Sequence, residues 1–311
     1  MRFFDCHCDT VLRCYQKGGH LADSAGHWSL DKIKDFTGAA QFFACFGEPE
    51  DMPGRALWEV FQEEAALLRR EIALSRDRIA LCTTADALEA AWEEGKAAAF
   101  LSAEGAELLD CDIEKLRLAH QMGVRAVNLT WNHANVLSGT NVEEPDRGLS
   151  GQGKDFVAEM NRLGVLVDVS HLSDPGFWDV VSITRAPIIA SHSNSRSCHF
   201  HTRNLTDEQF TAIIGLNGAV GLNVCPEFLG ESADLDTLRG HLEHFLDLGG
   251  EDTVALGGDW DGVSRLPQGM EDITGWAVFY GHLRDHGYRE TLLDKLFYKN
   301  LVRVVREVCT M

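Results

Sequence analysis

The sequence is poor in basic residues, with 28 Lys and Arg against 48 Asp and Glu among 311 residues and a formal net charge of −20. Binding of duplex nucleic acid requires Lys and Arg to neutralise phosphates, so this balance argues against a nucleic-acid partner. An anionic membrane surface is disfavoured for the same reason. Hydrophobic residues make up 45% of the chain and charged residues 24%, which are ordinary globular values and exclude wholesale disorder.

The chain also lacks a long apolar run. No stretch approaches the roughly 20 apolar residues of a transmembrane helix. The first ten residues carry charged and polar side chains where a secretory signal needs an apolar segment. The nine cysteines, an odd number, are scattered through a chain too large to depend on disulfides. These observations predict a cytoplasmic protein with reduced thiols and no membrane partner.

Short apolar runs alternate with amphipathic segments along the whole chain. Eight of the apolar runs are predicted to be strands, at 2–6, 40–46, 97–103, 125–130, 165–170, 187–191, 218–224 and 253–257. Helices are predicted at 56–75, 86–94, 113–122, 151–163, 174–183, 206–215, 235–248 and 291–309. A further strand-like run at 79–82 is placed outside the main set.

Eight strands alternating with helices over this length indicate one α/β domain, residues 1–311, folded as a (β/α)8 TIM barrel. The alternative is an open doubly wound sheet, which would carry a Gly-rich phosphate-binding turn after its first strand. The first strand is followed instead by His-Cys-Asp at 7–9, and the only glycine cluster near a strand end is Gly257-Gly258, in the last strand. We therefore expect the barrel.

Residue types that bind metal ions recur where the predicted strands end. In TIM barrels the active site lies at the carboxyl ends of the strands. The candidates are His7 and Asp9 after the first strand, Glu104 after the third, His171 after the fifth, His192 after the sixth and Asp259 after the last. Imidazole and carboxylate suit zinc, whereas calcium and magnesium sites seldom use three histidines. The set predicts a zinc centre at one mouth of the barrel.

The first two candidates are two residues apart. This spacing puts His7 and Asp9 on one face of an extended segment, so both can reach one ion. Cys6 and Cys8 are then expected on the opposite face, as small apolar contacts toward the helices. A Cys-His-Cys zinc site would need neighbouring side chains to point the same way, and we do not expect one.

The candidate ligands are numerous enough to hold two metal ions. One carboxylate can bridge two metal ions, which then lie about 3.5–4 Å apart. We expect His7 and Asp9 to hold one zinc ion. His171 and His192 would hold the second, with Glu104 between the two. A water bridging both ions would lose a proton near neutral pH and act as the nucleophile.

Six motifs in this arrangement resemble the membrane dipeptidase (renal dipeptidase) family of zinc metallopeptidases, within the amidohydrolase superfamily. The matching stretches are Asp-Cys-His-Cys-Asp-Thr at 5–10, Ser-Ala-Glu-Gly at 102–105, Gly-Val-Arg-Ala-Val-Asn-Leu-Thr-Trp-Asn at 123–132, Asp-Val-Ser-His at 168–171, Ser-His-Ser-Asn-Ser-Arg at 191–196 and Gly-Gly-Asp-Trp-Asp-Gly-Val at 257–263. The resemblance implies a distorted (β/α)8 barrel with two zinc ions per chain. It also implies hydrolysis of dipeptides, including those with a C-terminal D-residue, and suggests a homodimer.

The resemblance also assigns roles to residues of this sequence. The family's metal ligands fall on His7, Asp9, Glu104, His171 and His192, with Glu104 bridging. Its strand-eight aspartate falls on Asp259, which would orient the attacking water as general base and pass a proton to the leaving amine. Asp261 is close enough to be confused with it, and a turn-stabilising role before Gly262 is its alternative. Arg203 matches the position that holds the substrate carboxylate, a task that suits a guanidinium fork.

One position departs from the family pattern. Trp131 stands where mammalian members have a histidine that is thought to polarise the scissile carbonyl. His133 lies two residues further on and would contact the substrate if this segment is extended. A loop without such alternation is the alternative. The departure leaves metal-dependent hydrolysis intact but puts carbonyl polarisation in question.

Two other functions are compatible with the barrel. A different amidohydrolase reaction, such as deamination or lactone hydrolysis, could use it because a fold does not fix its chemistry. Deaminases of the superfamily usually bind one metal ion, so a two-metal site argues against them. A catalytically silent binding barrel would have lost at least one ligand, and none of the family's ligands is missing. The sequence therefore favours a zinc-dependent dipeptidase.

Overall fold

A parallel β-sheet closes into a barrel in the computed structural model, which describes residues 1–48, 50, 52–230 and 233–310. Its strands are β1 (Arg2–Cys8), β2 (Gly38–Cys45), β3 (Ile79–Leu81), β4 (Ala97–Ala103), β5 (Val124–Asn128), β6 (Leu166–Asp168), β7 (Ile189–Ala190), β8 (Ala219–Leu222) and β9 (Val254–Leu256). Hydrogen bonding runs in the order β2-β1-β9-β8-β7-β6-β5-β4, and a β2–β4 pairing closes this eight-stranded ring. The predicted (β/α)8 barrel is therefore confirmed.

The ninth strand, β3, lies outside the ring. It pairs with residues 97–99 of β4, while β5 pairs with residues 101–103 of the same strand. One edge of β4 is thus shared between β3 at its start and β5 at its end. The prediction that the run at 79–82 does not belong to the main set is confirmed.

Helices connect the strands and pack on the sheet. They are α1 (Thr10–Lys17), α2 (Leu57–Leu74), α3 (Ala85–Glu93), α4 (Ile113–Gln121), α5 (Gly151–Leu163), α6 (Asp174–Ile183), α7 (Asp207–Gly215), α8 (Pro226–Leu229), α9 (Leu235–Asp247), α10 (Gly275–Asp285), α11 (Glu290–Asp294) and α12 (Asn300–Val308). Side chains accept first-turn backbone N–H groups, and so cap the helix, at Thr84, Asp112, Ser150, Ser173, Thr206 and Asp234. None of the helices in the described part of the chain has the length and apolar character needed to cross a lipid bilayer.

The prediction of one continuous helix over 291–309 is wrong in detail. A π-helical turn, Lys295–Lys299, separates α11 from α12. Leu296 and Phe297 in this turn are buried, and so are Leu301 and Val304 in α12. A π turn adds one residue to a helical turn, and here it realigns the apolar face between the two segments. Helices α1 and α10 are further findings, since neither was among the predicted helices.

Aromatic rings from three neighbouring strands fill one side of the barrel interior. The ring centroids of Phe4, Phe42 and Phe100 lie 5.1–5.5 Å apart. Other strands contribute small side chains such as Ala219 and Ala255 to the same buried cluster. Large rings are thus packed together with alanines in the barrel interior. The candidate metal ligands lie beyond this apolar cluster, at the carboxyl ends of the strands.

Strand β1 carries a bulge close to the predicted metal ligands. Asp5 pairs with Gln41 and Cys8 pairs with Phe43, so β1 advances three residues while β2 advances two. The extra residue interrupts the strict alternation of side chains. Cys6 consequently packs in the interior cluster, while Cys8 packs in the other apolar cluster. The expectation that both cysteines point toward the helices is therefore wrong for Cys6.

Candidate metal centre and active site

Glu104 lies between two groups of histidines at the mouth of the barrel. It follows β4 directly and is only 4% exposed. Its Oε2 lies 3.3 Å from His7 Nε2. Its Oε1 lies 3.1 Å from His171 Nε2 and 3.5 Å from His192 Nε2. The two oxygens of one carboxylate therefore face different histidines, which is the geometry that a bridging ligand needs.

The His7 side of the cluster also contains two aspartates. His7 Nε2 lies 3.6 Å from Asp9 Oδ2. One potential ligand atom each from His7, Asp9 and Asp259 lie within 4.8 Å of one another. His7, Glu104 and His192 form a second such group. The candidates come from different strands of the ring, so the closure of the barrel is what brings them together.

The donor atoms of this cluster fit a metal ion better than they fit one another. His7 Nε2 and Asp9 Oδ1 are buried without a hydrogen-bond partner. A buried polar atom left unpaired costs about 1–3 kcal/mol, a cost that a bound cation would remove. Nε2 of His171 and Nε2 of His192 lie 3.0 Å apart. Nitrogen and carboxylate oxygen donors in this combination match the ligand preferences of zinc.

Burial governs the protonation of His171, His192 and Glu104, whereas at His7 the neighbouring carboxylates of Glu104 and Asp9 outweigh burial and raise the pKa. It lowers the pKa of His171 and of His192 well below the usual value, because a buried imidazolium loses its hydration. Both rings are therefore neutral, which is the form that binds a metal. Burial raises the pKa of Glu104 to about 7, and the charge of His7 opposes that rise. A divalent cation would stabilise the ionised carboxylate in the same way.

Hydrogen bonds from the far side of two histidine rings fix their orientation. His171 Nδ1 lies 3.0 Å from Asn132 Oδ1 and therefore donates to it. His192 Nδ1 lies 2.7 Å from Ser191 Oγ. Such partners hold Nε2 toward the metal, as in known metal sites. Asn132 and Ser191 both lie within the matched motifs, but the local sequence did not indicate these contacts.

Backbone conformation also sets the direction of site residues. His171, Asp259 and Asp261 have φ values of 69°, 58° and 68°, in the left-handed region that residues other than glycine seldom adopt. Such conformations cost free energy and persist where the surrounding structure enforces them, often at functional sites. The turn that contains Asp259 and Asp261 therefore directs two neighbouring carboxylates to different places.

Asp259 faces the cluster, whereas Asp261 anchors the surrounding loops. Asp259 Oδ2 accepts a hydrogen bond of 3.2 Å from Asn223 Nδ2, and burial raises the pKa of this carboxyl group. Asp261 Oδ2 accepts from the Thr10 hydroxyl, and Oδ1 accepts from the His27 backbone N–H, both at 2.7 Å. The oxygens of Asp261 are thus already engaged by protein donors.

Arg203 closes another side of the site. It is 6% exposed, and Nη2 donates to the His192 carbonyl at 3.2 Å. Its Nε is buried without a partner, so one donor of the fork remains available. The guanidinium carbon lies 5.4 Å from the centroid of the Phe228 ring, within cation–π range.

These side chains share one cavity of about 460 Å³. The polar lining includes Asp9, Glu104, His171, His192, Arg203 and Asp259, and Asp261 and Arg265 also contribute to it. Aromatic lining comes from Phe46, Trp131 and Phe228, and the rings of Phe46 and Trp131 pack at 4.7 Å. A small molecule in this cavity would contact the candidate metal ligands, the arginine and an apolar wall at the same time.

The structure does not bring His133 to this site. It is not among the described residues that line the cavity, and its side chain is 47% exposed. Nδ1 lies 2.9 Å from Glu143 Oε1, and Nε2 lies 3.2 Å from Glu48 Oε1. The hydrogen bond with Glu143 raises the pKa of His133. The segment after Thr130 bends rather than extending, so Trp131 reaches the cavity and His133 points to these two acids.

Parallel strands that present histidines and carboxylates at their carboxyl ends, around one cavity, define a metal-dependent hydrolase of the amidohydrolase type. The whole chain, residues 1–311, matches the model of the membrane dipeptidase family, peptidase family M19. The chain therefore belongs to this family, and it is a metallo-dipeptidase. The resemblance found in the sequence motifs is confirmed.

Relatives and solved structures agree with this assignment. Dipeptidase tcpJ of Claviceps purpurea (strain 20.1) is 30% identical over 299 residues, which are 92% of this chain and 70% of that protein. A metallopeptidase from Rhodobacter sphaeroides, liganded with a phosphinate mimic of the dipeptide L-Ala-D-Ala, has a TM-score of 0.89 and 31% identity and covers 99% of both chains. The metallopeptidase called dipeptidase AC has a TM-score of 0.90 and 30% identity, covering 100% of this chain and 99% of the other.

Proposed function

We propose that the protein is a dizinc dipeptidase that hydrolyses dipeptides, including those with a C-terminal D-residue. The placement of Glu104 carries this proposal, because its two oxygens face His7 on one side and His171 and His192 on the other. The Rhodobacter sphaeroides relative, which holds a mimic of L-Ala-D-Ala, supports the stereochemical part.

In this proposal the two metal positions differ in their ligands. His7 and Asp9 would hold one ion, His171 and His192 would hold the other, and Glu104 would be a ligand of both. When bound, such ions supply Lewis acidity and an activated water as the nucleophile. The unpartnered atoms His7 Nε2 and Asp9 Oδ1 support the first position, because both are buried and require a partner.

Asp259 is proposed as the general base and acid. In this role the carboxylate would take up a proton from the attacking water and release it to the leaving amine, and burial, which raises the pKa of Asp259, favours that uptake. The amide of Asn223 holds one carboxylate oxygen, which limits rotation of the side chain. Engagement of both Asp261 oxygens by Thr10 and His27 supports Asp259, rather than Asp261, in this role.

Arg203 is proposed to bind the free carboxylate of the substrate. The cavity of about 460 Å³ suits a dipeptide, and the buried guanidinium, whose Nε has no partner, would pair with the substrate carboxylate. A longer peptide would place an amide where the carboxylate belongs and would lose a charge-assisted hydrogen bond. Selection of dipeptides over longer peptides therefore follows from the position of Arg203.

Metal removal and restoration tests this proposal. Dialysis against a chelator is expected to abolish hydrolysis of L-Ala-L-Ala and L-Ala-D-Ala, and added Zn²⁺ is expected to restore it. The control compounds are the corresponding dipeptide amides, which lack the free carboxylate. The zinc-loaded protein should hydrolyse them poorly. Activity that survives metal removal would contradict the metal-dependent mechanism. Zinc restoration without any dipeptide hydrolysis would contradict the substrate class.

A further inference from the structure

A second cluster of metal-binding side chains lies between helices α9 and α10. Asp236 is in the first turn of α9, His282 is in the last turn of α10, and His286 caps that helix. One potential ligand atom from each of the three residues lies within 4.8 Å of the others. We propose that Asp236, His282 and His286 form a surface site for one divalent transition-metal ion such as Zn²⁺, separate from the centre in the barrel.

The geometry of the cluster matches a three-ligand site. Positions four residues apart lie on the same face of a helix, which places the two imidazole rings side by side with centroids 4.3 Å apart. His282 Nε2 lies 3.1 Å from Asp236 Oδ1, and His286 Nε2 lies 4.0 Å from the same oxygen. Two imidazoles and one carboxylate are zinc ligands, and water would complete the coordination.

The orientation of His286 prepares it for binding. Its Nδ1 donates a hydrogen bond of 2.8 Å to the His282 carbonyl. The proton of the neutral ring is thereby placed on Nδ1, and the lone pair on Nε2 faces Asp236. A backbone carbonyl behind the ring is a usual partner of metal-binding histidine. The same carbonyl also accepts the backbone N–H of His286 at 3.2 Å, so His286 contacts the end of α10 through both its backbone and its side chain.

Solvent reaches the cluster. The side chains of His282, His286 and Asp236 are 19%, 40% and 63% exposed. An open cavity of about 470 Å³ lies beside His286 and is also lined by Tyr288 and Glu243. An ion could therefore enter with its water ligands.

Arg239 would compete with a metal ion for the carboxylate of Asp236. Its Nη2 donates to Asp236 Oδ1 at 3.2 Å, and its Nη1 donates to Glu243 Oε1 at 2.5 Å. Its Nε also donates to Asp236 Oδ1, at 3.3 Å. A metal ion would displace both bonds to Asp236, while Glu243 would keep the guanidinium in place. The alternative explanation of the cluster is a hydrogen-bonded network of Asp236, Arg239 and the two histidines that binds no ion.

The position of the proposed surface site indicates what a bound ion would do to the fold. Helix α9 precedes strand β9, and α10 follows the loop that carries Asp259. An ion held by Asp236 on one helix and His282 on the other would link the two elements on either side of that strand. Because the ligands are remote from the cavity, the ion would stabilise the fold without taking part in hydrolysis.

Titration of the zinc-loaded full chain with Zn²⁺ tests the proposal. The variants are His282→Ala and His286→Ala, and the matched control is His244→Ala, which removes a histidine of α9 that contacts one acid, Asp207, at 2.8 Å. Wild type and the control are expected to bind one more Zn²⁺ per chain than either test variant. The rise in melting temperature caused by this last equivalent should be lost in both test variants.

The outcomes separate this site from the proposed function. Dipeptide hydrolysis by His282→Ala and His286→Ala is expected to equal that of wild type, which also shows that the variants are folded. Equal zinc binding by all four proteins would overturn the surface site, and so would loss of the ion in one test variant alone. Neither result would affect the centre at the barrel mouth, which is tested by chelation and dipeptide hydrolysis.

Discussion

Asp5 and Trp260 are joined by a hydrogen bond of 2.9 Å between the buried carboxylate Oδ2 and the indole Nε1. The same oxygen accepts from the Trp276 indole at 2.7 Å and from the Gly258 backbone N–H at 3.1 Å. The other oxygen, Oδ1, accepts from the backbone N–H of His7 at 2.9 Å. One carboxylate thus connects the strand that carries His7 to the turn that carries Asp259.

Replacement of Asp5 by Asn is expected to weaken both the fold and the site. Whichever way the amide is turned, its NH₂ group faces donors, either the indoles of Trp260 and Trp276 or the backbone N–H of His7. A buried donor without an acceptor costs about 1–3 kcal/mol, and urea unfolding would measure that loss. Trp260→Phe removes one donor and should be milder. Equal stability of Asp5→Asn and wild type would contradict this role.

Asp259→Asn should abolish most of the activity without removing metal. Loss of a general base typically lowers kcat by about 10²–10⁴-fold, while the proposed ligands are all retained. Asp261→Asn is the matched control. We expect it to lower stability, because the amide keeps only one of the two oxygens that accept from Thr10 and His27, and to change kcat much less. Steady-state kinetics and the zinc content of both variants test the assignment of Asp259 as the general base. A larger loss of kcat in Asp261→Asn than in Asp259→Asn would contradict it.

Arg203→Ala should affect dipeptides more than their amides. A hydrogen bond to a charged group contributes about 1.5–3 kcal/mol, so kcat/KM for a dipeptide should fall by about 10–100-fold. The amide lacks the carboxylate and should lose little beyond any general structural effect. Arg265→Ala is the control, since Arg265 lines the same cavity but is 76% exposed. An equal loss for dipeptide and amide would show that Arg203 acts only on the structure.

His133→Ala is expected to leave kcat/KM close to the wild-type value. Both ring nitrogens of His133 face acids, Glu143 and Glu48, rather than the cavity. Trp131→Ala is the matched variant, because Trp131 lines the cavity and packs against Phe46. We expect it to raise KM for dipeptides. A large loss of kcat in His133→Ala would instead support a direct contact between this histidine and the substrate.

Glu159 should make stability sensitive to acid. Hydrogen bonds from Arg162, and to a smaller extent from Arg117, lower its pKa to about 2. Because the pKa of glutamate in an unfolded chain is about 4.3, the stabilisation is present above that pH and is lost as the pH falls toward 2. Glu159→Gln should therefore reduce the free energy of unfolding at pH 7 by about 1 kcal/mol, and the difference should shrink at pH 3. Urea unfolding at both pH values measures this difference in the free energy of unfolding, with a variant of an exposed residue, Glu93→Gln, as the control. A difference between wild type and Glu159→Gln that is the same at pH 7 and pH 3 would contradict the lowered pKa of Glu159.

Elements with a clear local pattern could be predicted, and elements that depend on distant contacts could not. Helix α5 was predicted at its observed bounds, because its apolar spacing and its Ser150 cap are local features. Helix α10 escaped prediction because Gly275 and Gly281 lower its intrinsic helix propensity. Burial of Trp276 and Phe279 against the core stabilises it instead.

The sequence alone determined that histidines and acids would meet at one mouth of a barrel. Strand alternation indicates the fold, and the barrel brings every strand end to the same face, so His7, Glu104 and His192 converge whatever the loops do. Tertiary structure alone decided how these side chains are held. The carboxylate of Asp5 joins His7 to Gly258 across more than 250 positions, and the bend after Thr130 turns His133 outward. Such contacts depend on the three-dimensional positions of distant segments, which no local spacing of residues encodes.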